Sequence, residues 1–119
     1  MKIKNGVKIY GLTEVMKKPY EFYADLCNAC GIEPVITDAI RPRNVKYSLH
    51  QDGFAIDVRL RELDIDRGEA FCKALRKYLG DDYDVIYYHK TRHAHIEYQK
   101  YLDIQLGWKL KEDQIERVK

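Results

Sequence analysis

Apolar side chains recur at helical spacing in two segments of the chain. The first segment runs from about Pro19 to Gly31, and the second runs from about Asp66 to Gly80. Proline is favoured in the first turn of a helix and glycine commonly ends one, while Asp66 followed by Glu69 has the spacing of a capping box. The pattern therefore predicts two amphipathic helices, each with an apolar stripe that packs on a sheet.

Short apolar or alternating segments between and after these helices are typical of strands. They are residues 33–40, 53–60, 83–88 and 93–99. The last two are joined by the short loop HKTR and are expected to form a hairpin. Helices dispersed among such strands predict an α+β fold with a mostly antiparallel sheet and the helices packed on one face.

The chain length bounds the organisation of the protein. Its 119 residues suffice for one core, and no linker or repeat divides them, so residues 1–119 are predicted to form one domain. Residues 100–119 form a charged, weakly amphipathic C-terminal extension. It is open to three interpretations: a docked helix, an oligomer contact or a partly disordered tail.

Charge and hydropathy narrow the classes of partner. The 21 lysines and arginines nearly balance the 19 acidic residues, which gives no sign of a nucleic-acid-binding or membrane-binding surface. No apolar run approaches the roughly 20 residues of a membrane span, and the start MKIKNGVKIYGL lacks the apolar region of a secretory signal. The chain is therefore expected to be cytoplasmic as synthesised.

The cysteines do not indicate a disulfide framework, because their number is small and odd. Cys27 and Cys30 form the motif CNAC, but Cys72 alone does not supply the second ligand pair of a zinc knuckle. Cys27 and Cys30 are expected to lie one turn apart on the buried face of the first helix.

Polar side chains gather on one face of the predicted strands. Alternation places Asp57 on the face opposite Ile56 and Val58, and it places His93 and His95 together on one face of the last strand. A catalytic zinc site needs three ligands from His, Asp, Glu or Cys and an open corner for water. His50, Asp57 and His95 supply suitable types, although the spacing of His50 and Asp57 alone carries little weight.

The segment SLHQDGFAID, residues 48–57, adds a family resemblance. It resembles the S-x-H-x-x-G-x-A-x-D signature of zinc D-alanyl-D-alanine carboxypeptidases and L-alanyl-D-glutamate endopeptidases. These enzymes belong to a group that also includes lysostaphin and the hedgehog domains. The segments ITDAIRPR and YYHKTRHAHIEY resemble the strands that flank the signature, so the resemblance covers residues 26 to 98.

The resemblance implies a fold and a set of residue roles. It implies a hedgehog-like or D-Ala-D-Ala-peptidase-like fold and one zinc ion per chain, with His50, Asp57 and His95 as ligands. Arg41 corresponds to the arginine that holds the substrate carbonyl or carboxylate, with Arg43 as the second choice; a guanidinium suits planar oxygen groups. Ser48 corresponds to a substrate-facing hydroxyl, and its alternative role is that of a turn residue.

The general base is left open by the resemblance. Many peptidases of the family have an acidic residue three positions before the last histidine ligand, where this chain has Arg92. The hedgehog arrangement has a glutamate where this chain has His89, and a first histidine that corresponds to His93. His89 and His93 are therefore equal candidates for proton transfer, and Glu97 is a third candidate by facing.

These observations predict a zinc metallopeptidase that hydrolyses an amide of peptidoglycan stem peptides, either D-Ala-D-Ala or L-Ala-D-Glu. Release to the cell wall as a phage or prophage lysis protein is the route that fits a chain without a signal peptide. The alternative is a metal-binding, hedgehog-like module with weak or no catalysis, which Arg92 at the usual acidic position favours.

Overall fold

The computed structural model of the protein describes residues 1–40, 53–99 and 107–119. Within these residues the strands are β1 (Lys2–Lys4), β2 (Val35–Asp38), β3 (Ala55–Arg59), β4 (Tyr83–Tyr88), β5 (His93–Tyr98) and β6 (Glu116–Val118). The α-helices are α1 (Lys17–Cys30) and α2 (Ile65–Leu79). Short 3-10 turns occupy Glu14–Met16, Gly80–Asp82 and Glu112–Gln114. The prediction of an α+β domain is confirmed.

The strands form one mixed sheet in the order β4-β5-β3-β2-β1-β6. The pairings from β4 through β5 and β3 to β2 are antiparallel, as the sequence predicts, and they include the expected hairpin of β4 and β5. The pairings of β1 with β2 and with β6 are parallel. The antiparallel half carries the polar face that the sequence singles out.

The two helices pack against each other and share one apolar core with the sheet. The rings of Tyr23 in α1 and Phe71 in α2 lie edge to face with centroids 5.9 Å apart. The Tyr23 hydroxyl donates to the main-chain oxygen of Arg59 at 2.7 Å and accepts from the main-chain nitrogen of Val35 at 3.0 Å. Since this side chain is fully buried, its paired hydroxyl fixes α1 onto β2 and β3.

The helix boundaries agree closely with the predicted ones and differ in one cap. Helix α1 ends at Cys30, and Gly31 follows with φ 72°, the left-handed conformation that glycine adopts most readily. Helix α2 is capped by Asp64, whose side chain accepts from the main-chain nitrogen of Arg67 at 2.8 Å, and not by Asp66. Asp64 is extended, with ψ 170°, and the helix begins at the next residue.

The cysteine prediction is wrong in one respect. Cys27 and Cys72 are fully buried, whereas Cys30 is exposed at the end of α1. Three residues along a helix turn the side chain by about 300°, so Cys30 passes the edge of a narrow apolar stripe. All three thiols are free.

Thiol reactivity is expected to follow this burial. Burial raises the pKa of the Cys27 and Cys72 thiols to about 12, so at pH 8 only about one molecule in ten thousand carries the thiolate that reacts. Titration with Ellman's reagent should therefore find one fast thiol in the folded protein and three after unfolding. Cys30→Ser should remove the fast phase, and a fast phase that survives it would contradict this packing.

The C-terminal residues 107–119 join the domain. Trp108 packs on the core edge beside Tyr20, with ring centroids 6.0 Å apart, and β6 extends the sheet next to β1. The described part of the C-terminal extension thus ends in a strand and not in the docked helix that was one of the three interpretations. Neither described helix combines the length and the apolarity that crossing a membrane requires.

Candidate metal centre

Asp57 and His95 lie directly opposite each other at the centre of the antiparallel half of the sheet. They form a register pair of β3 and β5, so both side chains project from the face opposite the apolar core. His95 Nδ1 is 2.8 Å from Asp57 Oδ1. Asp57 is only 6% exposed, and a buried charge of this kind needs close partners. Two of the three ligands implied by the resemblance are therefore in contact.

An irregularity in β2 brings a second carboxylate toward this pair. Ile36 pairs with Val58 on the core face, but the next register pair joins Asp38 to Asp57, so the register shifts between them. In a regular strand, Thr37 would lie opposite Asp57. The shift makes Asp38, and not Thr37, the register partner of Asp57, and one Asp38 oxygen accepts from the main-chain nitrogen of Ala39 at 2.9 Å.

The second nitrogen of His95 contacts another carboxylate on the same strand. His95 Nε2 is 2.9 Å from Glu97 Oε1, and Gln99 Nε2 donates to Glu97 Oε2 at 2.8 Å. Burial of the ring lowers the pKa of His95, but the hydrogen bonds and charges of Asp57 and Glu97 more than offset this and raise the pKa overall. Asp57 and Glu97 therefore stabilise the protonated form of the ring.

His93 flanks the pair at the end of the same face. Its Nε2 is 3.7 Å from Asp57 Oδ2, and its Nδ1 is hydrogen-bonded to Thr91 Oγ1. The ring stacks on Tyr88 of the neighbouring strand, with centroids 4.8 Å apart and an interplanar angle of 18°. These contacts fix the orientation of the imidazole and direct one nitrogen toward Asp57.

His89 and Arg92 lie away from this arrangement. His89 follows the end of β4, and its side chain pairs with Glu69 of α2 and packs beside Tyr87, on the side of the sheet that the helices cover. Arg92 is exposed in the β4–β5 turn, where its φ is 50°. Of the candidates for the base, the structure brings His93 and Glu97 to the Asp57–His95 pair.

The remaining predicted site residues lie outside the described residues. These are Arg41, its second choice Arg43, Ser48 and the ligand His50. Within residues 1–40, 53–99 and 107–119, no group of three or more His, Cys, Asp and Glu side chains is arranged to hold a metal ion. The ligand set named from the sequence stays a prediction.

The described pair fits a zinc ion in chemistry and in spacing. Two ligand atoms about 2.0 Å from a tetrahedral zinc are about 3.3 Å apart. His95 Nδ1 and Asp57 Oδ1, now 2.8 Å apart, need to separate by about half an ångström to hold such an ion between them. An imidazole nitrogen and a carboxylate oxygen are both common zinc ligands. Metal-binding histidines usually donate their other N–H to a carboxylate, and Glu97 Oε1 lies 2.9 Å from His95 Nε2, within reach of such a bond.

Some contributors to the site are absent from the prediction. Asp38 becomes the register partner of Asp57 through a shift that has no local sequence signal. Tyr88 and Gln99 were detectable in principle, since alternation on the predicted hairpin places them on the same face as His93 and Glu97.

The fold and this geometry define an α+β domain with a carboxylate–imidazole cluster on the polar face of its sheet. No protein-family model, curated protein or solved structure matches the chain. The assignment of a function therefore depends on the signature in residues 48–57 and on the geometry of the cluster.

Proposed function

We propose that the protein is a zinc-dependent peptidase that hydrolyses an amide bond of peptidoglycan stem peptides, with the fold of hedgehog domains and D-Ala-D-Ala peptidases. The observation that carries the proposal is the contact of Asp57 with His95, whose second nitrogen is hydrogen-bonded to Glu97. This combination of a carboxylate and an oriented imidazole on rigid strands is what a metal site requires. Asp57, His95 and, from the signature, His50 would hold the ion.

Both the ion and the protein side chains would contribute to the hydrolysis. Bound zinc would supply Lewis acidity, which polarises a carbonyl and lowers the pKa of water toward neutrality. His93 is proposed as the group that accepts the proton of the attacking water and returns it to the leaving amine, because its Nε2 faces Asp57 and its ring is held by Tyr88. Arg41 would orient the peptide through its carbonyl or carboxylate.

Substrate and setting follow from the family resemblance. D-Ala-D-Ala and L-Ala-D-Glu stem peptides are the proposed substrates, and a phage or prophage lysis protein is the proposed context. Neither nucleic acid nor membrane is proposed as a partner.

Zinc-loaded protein is expected to release free amine from stem peptides that contain one of these two bonds. Metal-stripped protein and the Asp57→Asn variant should release none, because Asp57 is both a proposed ligand and the contact of His95. Amine release is measured with a fluorogenic amine reagent and located by mass spectrometry of the products. No release from any stem peptide by wild type that carries zinc would exclude the peptidase.

The second candidate function is a metal-binding module with weak or no hydrolysis. Arg92, at the position of the usual acidic residue, favours it, since this exposed side chain lies in the turn before β5 and offers no base. Stoichiometric zinc without turnover of any stem peptide would select this candidate.

A further inference from the structure

We infer that Glu97 is the positioning residue of the zinc site: it binds the Nε2 proton of His95 and thereby fixes Nδ1, on the Asp57 side, as the atom that ligates the ion. This inference rests on the proposed zinc site and specifies its geometry. The sequence made Glu97 a candidate base, whereas this inference makes it the residue that orients the ligand His95.

The two nitrogens of the His95 ring contact different carboxylates, Nδ1 that of Asp57 and Nε2 that of Glu97. A neutral histidine holds one proton, and the nitrogen without it is the one that can ligate a metal. A carboxylate 2.9 Å from Nε2 stabilises the proton on that nitrogen. Nδ1, which lies 2.8 Å from the proposed ligand atom Asp57 Oδ1, is then the nitrogen that faces the ion, and the Glu97 contact is kept.

Glu97 is itself held in place by a second hydrogen bond. Its other oxygen accepts from Gln99 Nε2 at 2.8 Å, and its side chain is only 21% exposed. Positions 95, 97 and 99 project to the same side by strand alternation. One short segment therefore supplies the hydrogen-bonded row of His95, Glu97 and Gln99. With both oxygens engaged, Glu97 is poorly placed to take a proton from water.

The competing arrangement places the ion between His95 Nε2 and Glu97, with Glu97 as a direct ligand. The two arrangements differ in which carboxylate is indispensable. Asp84 offers a matched control, because it lies opposite Glu97 in the β4–β5 register on the same face and is exposed. Asp84→Asn removes one negative charge from the same face of the sheet and leaves the hydrogen bonds of His95, Glu97 and Gln99 unchanged.

The test is zinc affinity by competition with a chromophoric chelator, for wild type and for Glu97→Gln, Asp57→Asn and Asp84→Asn. Glu97→Gln is expected to keep one zinc site with affinity about 10- to 100-fold weaker, as for other partners of metal-binding histidines. Asp57→Asn should lose stoichiometric binding, and Asp84→Asn should stay within about twofold of wild type. Urea unfolding of the metal-free proteins checks that each variant folds.

Nitrogen NMR of the His95 ring shows which nitrogen carries the proton and which binds the metal. A general loss of stability would not change this assignment. In zinc-loaded wild type, Nε2 should carry the proton and Nδ1 the metal. Wild-type affinity in Glu97→Gln would overturn the inference, as would zinc on Nε2 or retention of zinc by Asp57→Asn with its loss in Glu97→Gln. Failure of wild type to bind zinc would instead refute the zinc site itself, so the two failures are distinguishable.

Discussion

His93→Ala is expected to lower the rate of stem-peptide hydrolysis by about 10²- to 10⁴-fold, the usual contribution of a positioned acid–base group. The reason is that His93 Nε2 faces Asp57 at 3.7 Å while Thr91 and Tyr88 fix the ring. Zinc content should stay at about one ion per chain, because His93 is not a proposed ligand. The measurement is kcat with the cleaved peptide, together with metal content.

His89→Ala is the matched control for this experiment. Both changes remove an imidazole from the same hairpin, but His89 pairs with Glu69 on the helix-covered side of the sheet. The His89 variant is expected to keep its rate within about twofold of wild type, given that surface substitutions rarely have large effects. Equal losses in the two variants, or a loss in His89→Ala alone, would show that His93 is not the base.

Gly53→Ala is expected to lower the free energy of unfolding by about 2–5 kcal/mol, through backbone strain and overpacking together. Gly53 has φ 80°, and an added Cβ would lie 2.2 Å from the main-chain oxygen of Gly11. That clash is with backbone, which cannot rotate away. The carbonyl of Gly53 also accepts from the main-chain nitrogen of Thr13 at 3.0 Å and from its hydroxyl at 2.9 Å, so a shift would break both bonds.

Gly31→Ala separates the two causes of this loss. Gly31 has a similar φ of 72°, but no atom lies within 4 Å of its added Cβ. This control should therefore cost only about 1 kcal/mol, the strain of a left-handed alanine. Urea unfolding of both variants measures the difference. Equal losses would mean that the close approach of residues 11 and 53 is not tight.

The helices and the central strands could be predicted from local pattern. Helix α1 carries its apolar stripe and its terminal glycine, and the β4–β5 hairpin carries clear alternation, so each signal lies within the element itself. Strands β1 and β6 have three residues each and gain their identity from pairing across the whole chain. No window of sequence contains that information.

The candidate site was predictable to the extent that it depends on alternation. The shared face of His93, His95 and Glu97 follows from strand period alone, and the contact of His95 with Asp57 then needs only the β3–β5 register. The choice among candidate bases was not predictable. His89 is only four positions from His93, yet the end of β4 turns it toward Glu69. The glycine at position 53 is required by the close approach of Gly11, a contact that no local pattern in the sequence predicts.

The zinc site is the central claim, and metal content by mass spectrometry of protein purified without added metal tests it most directly. His50→Ala and His95→Ala accompany wild type, with circular dichroism to confirm folding. About one zinc per wild-type chain, absent from both variants, is the expected result. Correctly folded wild type that carries no zinc, even after zinc is added, would contradict the account.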